Sequence, residues 1–188
     1  MTPRKLPVAT LLCTLFFLAS ACSSIPNRNP TGEVFPSVRG TSLDDIDYQL
    51  PDQFRGKPLL LLVGYRQNTQ FDLDRWLLGL MQAEVEVATY EVPTIPGLTA
   101  RLASGFIDNG MRSGIPNEDW GSVITVYADA KAIVDFTGNE NPRNGRILLL
   151  DKEGRVVWFW DQGYSARRVL DLKRAVADHA GLAPTSRL

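Results

Sequence analysis

The chain has 188 residues, which is enough for one globular domain with short attachments at its ends. Hydrophobic residues make up 44% of it and charged residues 22%, a composition typical of a folded protein with a sizeable core. The formal net charge is −1 and the basic residues are scattered, which excludes the basic stripe of a nucleic-acid-binding surface, so we expect no nucleic-acid partner.

Residues 1–21 have the pattern of an export signal peptide. Arg4 and Lys5 precede an almost wholly apolar run, Val8 to Ala19, which is shorter than the roughly 20 residues of a transmembrane helix. The run ends in Leu-Ala-Ser-Ala-Cys, which resembles the bacterial lipobox and implies a lipid on Cys22. The residues just before the cysteine, Ala-Ser-Ala, also fit ordinary signal cleavage, an alternative that would leave a free thiol at the new N-terminus.

The residues from the cysteine onward indicate the destination of the protein and how the domain is attached. Ser23 follows Cys22, and in the lipoproteins of double-membraned bacteria that this motif resembles, a residue other than Asp there implies delivery to the outer membrane. We therefore expect the lipid anchor to hold the protein on the periplasmic face of the outer membrane. Residues 22–33, rich in Ser, Pro, Asn and Gly, are predicted to form a flexible tether, and residues 182–188 a C-terminal tail.

Residues 34–181 are predicted to form the folded domain. It begins with two short strands, Val38–Leu43 and Ile46–Leu50. The continuous apolar run Leu59–Tyr65 is typical of a strand buried on both faces of a sheet. Phe71–Gln82 is predicted to be a helix with a capping-box-like start, Thr69 followed by Asp72. The apolar residues that recur at helical spacing in it are Phe71, Trp76, Leu77, Leu80 and Met81.

The rest of the domain alternates strands with helices. In chain order the pattern predicts a strand at Glu84–Val92, a helix from Pro96 to about Gly110, a strand at Ser122–Ala128, a helix at 128–138, a hairpin at Arg146–Asp161 with its turn at Lys152–Gly154, and a helix at Ala166–His179. This order favours a layered α/β domain with a mixed sheet, in which the hairpin supplies an antiparallel edge.

The two cysteines restrict the chemistry. Cys13 lies within the predicted signal peptide and Cys22 at its cleavage site, so the predicted domain has no thiol and no disulfide. It also has a single histidine, His179. These counts exclude dithiol exchange, a peroxidatic cysteine, and a thiolate or multi-histidine zinc site in the domain. We expect no metal and no cofactor.

Three stretches of the domain carry a family resemblance: 35–65, 146–165 with its Asp-Lys-Glu-Gly turn, and the final helix. Their order and local sequences resemble the thioredoxin-like superfamily, particularly its peroxiredoxin and alkyl-hydroperoxide-reductase branch. The resemblance implies a three-layer α/β fold with a mixed central sheet, helices on both faces and an N-terminal hairpin extension. A second likeness, in the late hairpin and its tryptophans, is to thioredoxin-like assembly factors of the mitochondrial ATP synthase and implies an assembly or chaperone role.

The reactive position of that branch is changed in this chain. The branch has a Pro-x-x-x-Thr-x-x-Cys motif after its first core strand, which corresponds here to Tyr65 through Asp72. Thr69 is kept, whereas Tyr65 replaces the proline and Asp72 the cysteine. Arg146 resembles the arginine that the branch holds near its reactive sulfur. The resemblance thus implies the fold and excludes thiol-based oxidoreductase or peroxidase activity.

The candidate site lies where functional groups of α/β sheets gather, at the carboxyl ends of parallel strands. Donors that converge on a helix N-terminus suit an anion or a carboxylate, although a solvated loop with a capped helix start gives the same pattern. The candidate ligand-binding or partner-binding residues are Arg66, Gln67, Asn68, Thr69, Asp72, Arg143 and Arg146.

Two functional hypotheses follow. The first is a lipid-anchored envelope protein whose cysteine-free domain acts as a binding or assembly module, with the membrane and an envelope protein as partners. The alternative is an envelope hydrolase that acts on an anionic substrate through Asp72 and arginines. The sequence does not decide whether the protein is an enzyme.

Overall fold

The structure is a computed structural model that describes residues 24–179. The predicted signal peptide, Cys22 and the C-terminal tail lie outside the described residues. Within residues 24–179, no helix is both long enough and apolar enough to cross a membrane.

Seven strands form the sheet structure of residues 24–179. Two sheets have the orders β2-β1-β5 and β4-β3-β6-β7. Isolated parallel bridges, Glu91 to Val123 and Thr94 to Val126, connect the edge of the second sheet to the β5 segment of the first. The strands are β1 Val38–Ser42, β2 Asp47–Leu50, β3 Leu59–Gly64, β4 Ala88–Pro93, β5 Ile124–Thr125, β6 Arg146–Leu150 and β7 Val156–Trp160.

In the same described part of the chain, five α-helices accompany the strands. They are α1 Gln70–Gln82, α2 Leu98–Leu102, α3 Ser104–Gly114, α4 Ala130–Thr137 and α5 Ala166–His179. Short 3-10 helices lie at Asp52–Phe54, Gln67–Thr69 and Asn117–Ser122.

β3 and β6 are the two central strands of the second sheet. Every residue in both strands is buried. β3 pairs with β4 in parallel and with β6 antiparallel, and β6 pairs antiparallel with β7, which confirms the predicted mixed sheet and late hairpin. β1 and β2 pair antiparallel as the predicted N-terminal hairpin. Successive strand residues point to opposite faces, so these apolar strands supply two separate cores.

The two cores lie on opposite faces of the sheet, which gives the predicted three layers. On one face, Leu59, Leu61 and Val63 pack with Ile133 and Phe136 of α4. On the other face, the alternate residues pack with α1 and α5. The members of that second core are Leu60, Leu62, Leu73, Trp76, Leu80, Ile147, Leu149, Val169, Leu172 and Val176. Each fully buried large aliphatic side chain contributes about 1.5–3 kcal/mol to folding.

The predicted apolar face of α1 is partly wrong. Leu73, Trp76 and Leu80 face the core, whereas Phe71 is 73% exposed and Met81 74%. Positions 73, 76 and 80 follow the i, i+3, i+7 spacing of one helix face, and positions 71 and 81 fall outside that stripe. The exposed Phe71 therefore stands at the start of α1 without a role in the core.

Three other predicted boundaries also differ. The strand predicted at Glu84–Val92 begins only at Ala88, because Glu84 has a φ of 52° and belongs to the turn that ends α1. The helix predicted from Pro96 is two helices, α2 and α3, separated at Ala103. The strand predicted at Ser122–Ala128 is ladder-paired only at residues 124–125.

The segment predicted to be a flexible tether packs along the domain from Ile25 onward. The backbone N–H of Ile25 donates to the Asn139 side chain (2.7 Å), and that of Asn139 donates to the Ile25 carbonyl (2.8 Å). At the other end of the segment, the N–H of Gly32 donates to the carbonyl of Val156 (2.8 Å). Residues 25–33 therefore run from the start of β6 to the start of β7 as part of the folded domain.

Gly138 should be essential for this docking. Its φ is 72° with ψ 170°, a conformation nearly exclusive to glycine, and a Cβ there would overlap the Pro26 carbonyl. We expect Gly138→Ala to lower the free energy of unfolding by at least about 1–3 kcal/mol. It should also speed amide hydrogen exchange at Ile25 and Asn139. Urea denaturation and exchange measurements test this.

Gly110→Ala is the matched control for that measurement. Gly110 lies inside α3, and a Cβ added there would meet nothing within 4 Å, so alanine should be neutral or raise stability by up to about 1 kcal/mol. Equal stability of the Gly138→Ala and Gly110→Ala proteins would contradict the docking of residues 25–33.

Candidate functional site

The candidate site is built at the junction between β3 and α1. β3 ends at Gly64, and a 3-10 turn, Gln67–Thr69, leads into α1. Arg66, Gln67 and Asn68 are exposed, whereas Thr69 is 1% exposed. The polar loop predicted to follow β3 therefore divides into an exposed part and a buried part.

Thr69 connects the junction to the loop before β6. Its hydroxyl accepts from the N–H of Arg66 (3.2 Å) and donates to the carbonyl of Pro142 (2.7 Å). It makes no side-chain cap of α1, so the predicted capping box of Thr69 with Asp72 is wrong. The reason is the 3-10 turn, which places Thr69 in a helical conformation rather than the extended conformation that a capping residue adopts.

Asp72 stands at the position that corresponds to the reactive cysteine of the peroxiredoxin branch, and its carboxylate is buried and structural. It is 3% exposed, and each oxygen accepts from a backbone amide: Oδ2 from Gly145 (2.9 Å) and Oδ1 from Tyr164 (2.7 Å). Arg75 contributes a longer contact at 3.5 Å. A charge-assisted hydrogen bond stabilises by about 1.5–3 kcal/mol, so this carboxylate joins α1 firmly to β6 and to the segment before α5.

Arg146 is fully buried and its guanidinium is bound by oxygens of the protein. Nη1 donates to the carbonyls of Asn141 and Asn144, both at 2.8 Å. Nη2 donates to Oδ1 of Asn27 (2.8 Å) and to the carbonyl of Gly138 (3.2 Å). No carboxylate among residues 24–179 forms an ion pair with it, and its Nε has no hydrogen-bond partner there.

Tyr65 belongs to the same buried group. The Arg146 guanidinium lies 5.3 Å from the centre of its ring, a favourable cation–π distance. The Tyr65 hydroxyl contacts the Thr137 hydroxyl and donates to the Ile133 carbonyl (3.2 Å). Burial raises the pKa of Tyr65 to about 12, and burial also lowers the pKa of Arg146. The phenol stays neutral and the guanidinium stays charged at neutral pH.

The exposed residues of the predicted set are Arg66, Gln67, Asn68 and Arg143, and we call them the polar ledge. Arg143 directly follows Pro142, whose carbonyl accepts from Thr69, so both halves of the ledge flank the same junction. Neither Arg66 nor Arg143 forms an ion pair with another residue of the described chain. An open recess of about 570 Å³ lies beside Arg66 and is lined by Arg66, Gln67, Asn68, Gln70 and Phe71.

Two carboxylates, Asp74 of α1 and Glu91 of β4, lie next to Gln70 at the side of the recess. The Gln70 amide donates to Asp74 (2.8 Å) and to Glu91 of β4 (3.0 Å). Burial raises the pKa of Glu91, and the Gln70 hydrogen bond opposes that rise. Asp74 thus points away from Asp72, and the two carboxylates do not form a pair. Within residues 24–179, no three His, Cys, Asp or Glu side chains are grouped so as to hold a metal ion.

The structure thus separates the predicted site residues. Thr69, Asp72 and Arg146 are buried and bonded to the backbone or to Asn27, whereas the four ledge residues face solvent. An exposed pair of arginines with two amides can bind an anionic group, because guanidinium and amide donors match phosphate and carboxylate oxygens. The carboxylates beside the recess, Asp74 and Glu91, both accept hydrogen bonds from Gln70.

Sequence reasoning missed three contributors. Asn27 binds Arg146 across 119 positions of sequence, and no local pattern indicates such a contact. Phe71 is predicted to be in the core because helical spacing alone does not identify which face is buried. Leu98, 72% exposed, begins α2 five residues after the end of β4, and β4 ends at the same edge of the sheet as its parallel neighbour β3.

The sequence itself matches no family model and no curated protein. Solved structures do resemble this one. A pneumococcal exposed lipoprotein thioredoxin from Streptococcus pneumoniae superposes with a TM-score of 0.51 at 14% identity, covering 74% of this chain and 99% of the other. A SCO1/SenC family lipoprotein from Bacillus anthracis gives 0.55 at 12% identity, covering 82% and 99%.

A third neighbour represents the peroxidase branch. The thiol peroxidase from Chromobacterium violaceum superposes with a TM-score of 0.51 at 13% identity, covering 84% of this chain and 93% of the other. Identities this low carry information on fold and not on activity. The chain has a thioredoxin-like fold, in agreement with the resemblance of its sequence to that superfamily.

Proposed function

We propose that the protein is a lipid-anchored component of the cell envelope whose thioredoxin-like domain acts as a binding or assembly module and performs no thiol chemistry. One observation carries the proposal: at the position where the resembling family has its reactive cysteine, the buried Asp72 is bonded to two backbone amides, while the ledge beside it stays exposed. The fold is intact, and residues 23–188 contain no cysteine.

The proposed ligand group is anionic. Arg66 and Arg143 carry charges that no carboxylate of the described chain neutralises, and Gln67 and Asn68 add amide donors next to an open recess. Arginine binds phosphate or carboxylate in a bidentate way, which gives both affinity and orientation. The predicted partner is therefore an envelope component that presents such a group.

The proposed location rests on the sequence around Cys22 and on the nature of two structural neighbours, both lipoproteins. Attachment through a lipidated Cys22 places the domain on a membrane surface. The outer membrane is the proposed destination, since Ser23 rather than Asp follows the cysteine.

A hydrolase that uses Asp72 is not favoured by any contact. Both oxygens of this carboxylate accept backbone hydrogen bonds and only 3% of the residue is exposed, so a substrate would have to displace internal bonds to reach it. Of the candidate arginines, Arg146 is fully buried as well, whereas Arg66 and Arg143 are exposed.

Lipidation is the first testable part. Cys22→Ser should abolish incorporation of a fatty-acid analogue into the full chain and release the protein from the membrane fraction. Ser23→Ala is the matched control and should leave labelling unchanged. Labelling that persists in the Cys22→Ser protein would contradict a lipid on Cys22.

The ledge is tested by photo-cross-linking in intact cells. A photoreactive amino acid at Asn68 should capture an envelope component, and Arg66→Ala with Arg143→Ala should reduce the yield roughly tenfold or more, since each charge-assisted hydrogen bond contributes about 1.5–3 kcal/mol. The same group at Lys152 is the control, because its turn follows the end of β6 at the opposite edge of the sheet. Equal capture at both positions, or no effect of the arginine changes, would refute the ledge as a binding surface.

The structural role of Asp72 is tested by stability. Asp72→Ala leaves the buried amide of Gly145 and the partly buried amide of Tyr164 without an acceptor. An unsatisfied buried donor costs about 1–3 kcal/mol, so the free energy of unfolding in urea should fall by about 2 kcal/mol. Asp74→Ala, two residues away and exposed, should change it by no more than about 0.5 kcal/mol. An Asp72→Ala protein as stable as Asp74→Ala would make Asp72 a candidate functional group again.

A further inference from the structure

The docked N-terminal segment determines which edge of the domain lies next to the lipid anchor. Ile25 is held to Asn139 by two hydrogen bonds from backbone amides, and Asn27 is held to Glu140 by two more, at 2.9 Å each. These contacts lie just before β6, whose first residue, Arg146, pairs with Val63 near the carboxyl end of β3. The fixed start of the domain is therefore at the same edge as the polar ledge.

The chain between the lipid and this fixed point is short. Cys22 and Ile25 are three residues apart, so even a fully extended chain spans at most about 10–11 Å between them. A compact domain of this length is roughly 40 Å across. A lipidated Cys22 lies at the headgroup level, and the anchored edge cannot move further from that level than about a quarter of the domain's width.

The surface at this edge has the composition of a membrane-contacting surface. Phe71 at the start of α1 is 73% exposed, and Leu98 and Leu102 of α2 are 72% and 80% exposed. Arg66 and Arg143 lie at the same edge and have no carboxylate partner in the described chain. Exposed apolar side chains beside arginines suit the boundary where acyl chains meet lipid phosphates.

We propose that the polar ledge, with Phe71 and Leu98, rests on the lipid headgroup layer of the membrane that holds Cys22. The arginines bind lipid phosphates, and the two apolar side chains enter the interface. This inference rests on the proposed lipid anchor and names the anionic component that the ledge recognises. The amino edge of the sheet, with the Lys152 turn, points away from the bilayer.

The test uses the full, lipidated chain in protein-free vesicles made from the phospholipids of the bacterial envelope. Because the domain has no cysteine, Asn68→Cys and Lys152→Cys can each carry a single fluorescent label. Lipids with a nitroxide on the headgroup should quench the label at position 68 severalfold more than the label at position 152. Equal quenching at the two positions in vesicle-bound protein would overturn the proposal.

Two further variants separate orientation from simple attachment. A flexible insertion of about 15 Gly and Ser residues between Ser24 and Ile25 lengthens the connection between Cys22 and the domain. Quenching at position 68 should then fall if the short connection imposes the orientation. Phe71→Ser with Leu98→Ser should reduce it as well. Leu78→Ser with Met81→Ser, at exposed positions toward the other end of α1, should leave it unchanged.

The outcomes also distinguish this inference from the proposed function. If wild-type protein does not bind the vesicles, the lipid anchor itself fails. If it binds and the two labels are quenched equally, the anchor stands and the lipid-facing ledge is wrong. Preferential quenching at position 68 that appears only in vesicles prepared from native envelopes would assign the ledge to a protein partner and overturn lipid recognition.

Discussion

The burial of one cation, the Arg146 guanidinium, is the constraint on which the site depends. A charge removed from water needs hydrogen-bond acceptors around it, and no carboxylate of the described chain forms an ion pair with this one. Four oxygens take that role, three from the loop before β6 and one from Asn27. Satisfying the cation thereby fixes the loop and holds the N-terminal segment on the domain.

The same arrangement explains why the junction is rigid without being reactive. Asp72 joins α1 to Gly145 and Tyr164, and Thr69 joins the preceding turn to Pro142. The peroxiredoxin branch that the sequence resembles has its reactive cysteine at this position. Here both oxygens of a carboxylate accept hydrogen bonds from backbone amides instead. The inner half of the junction is structural, whereas Arg66 and its neighbours in the outer half are solvated.

Much of the fold could be predicted from sequence because its signals are local. The apolar run at β3, the Asp-Lys-Glu-Gly turn before β7 and the amphipathic pattern of α5 each lie within about 15 residues. The environment of Arg146 was not predictable, because it is assembled from residues up to 119 positions away. Phe71 was wrongly predicted to be buried for a related reason. It recurs at helical spacing with the other apolar residues of α1, but its burial depends on where the sheet lies beneath the helix.

The candidate site, too, was predictable only where local sequence determines it. Its position at the carboxyl edge could be derived from strand order, and four of its seven residues are exposed there. Thr69, Asp72 and Arg146 have the residue types of a binding site, yet each is occupied by the protein's own backbone or amides. Residue type indicates what a side chain can bind, and only tertiary structure determines whether that capacity is already used.

The cation also determines where the start of the domain lies. Asn27 accepts from Arg146 and bonds reciprocally to Glu140, so the contact that satisfies the buried charge also brings the start of the domain to the carboxyl edge. Without the contacts of residues 25–28, the first firm attachments would be Gly32 to Val156 and Val34 to Arg155, both at the opposite edge. A substitution at Arg146 would therefore alter both the stability of the domain and the position of residues 25–33.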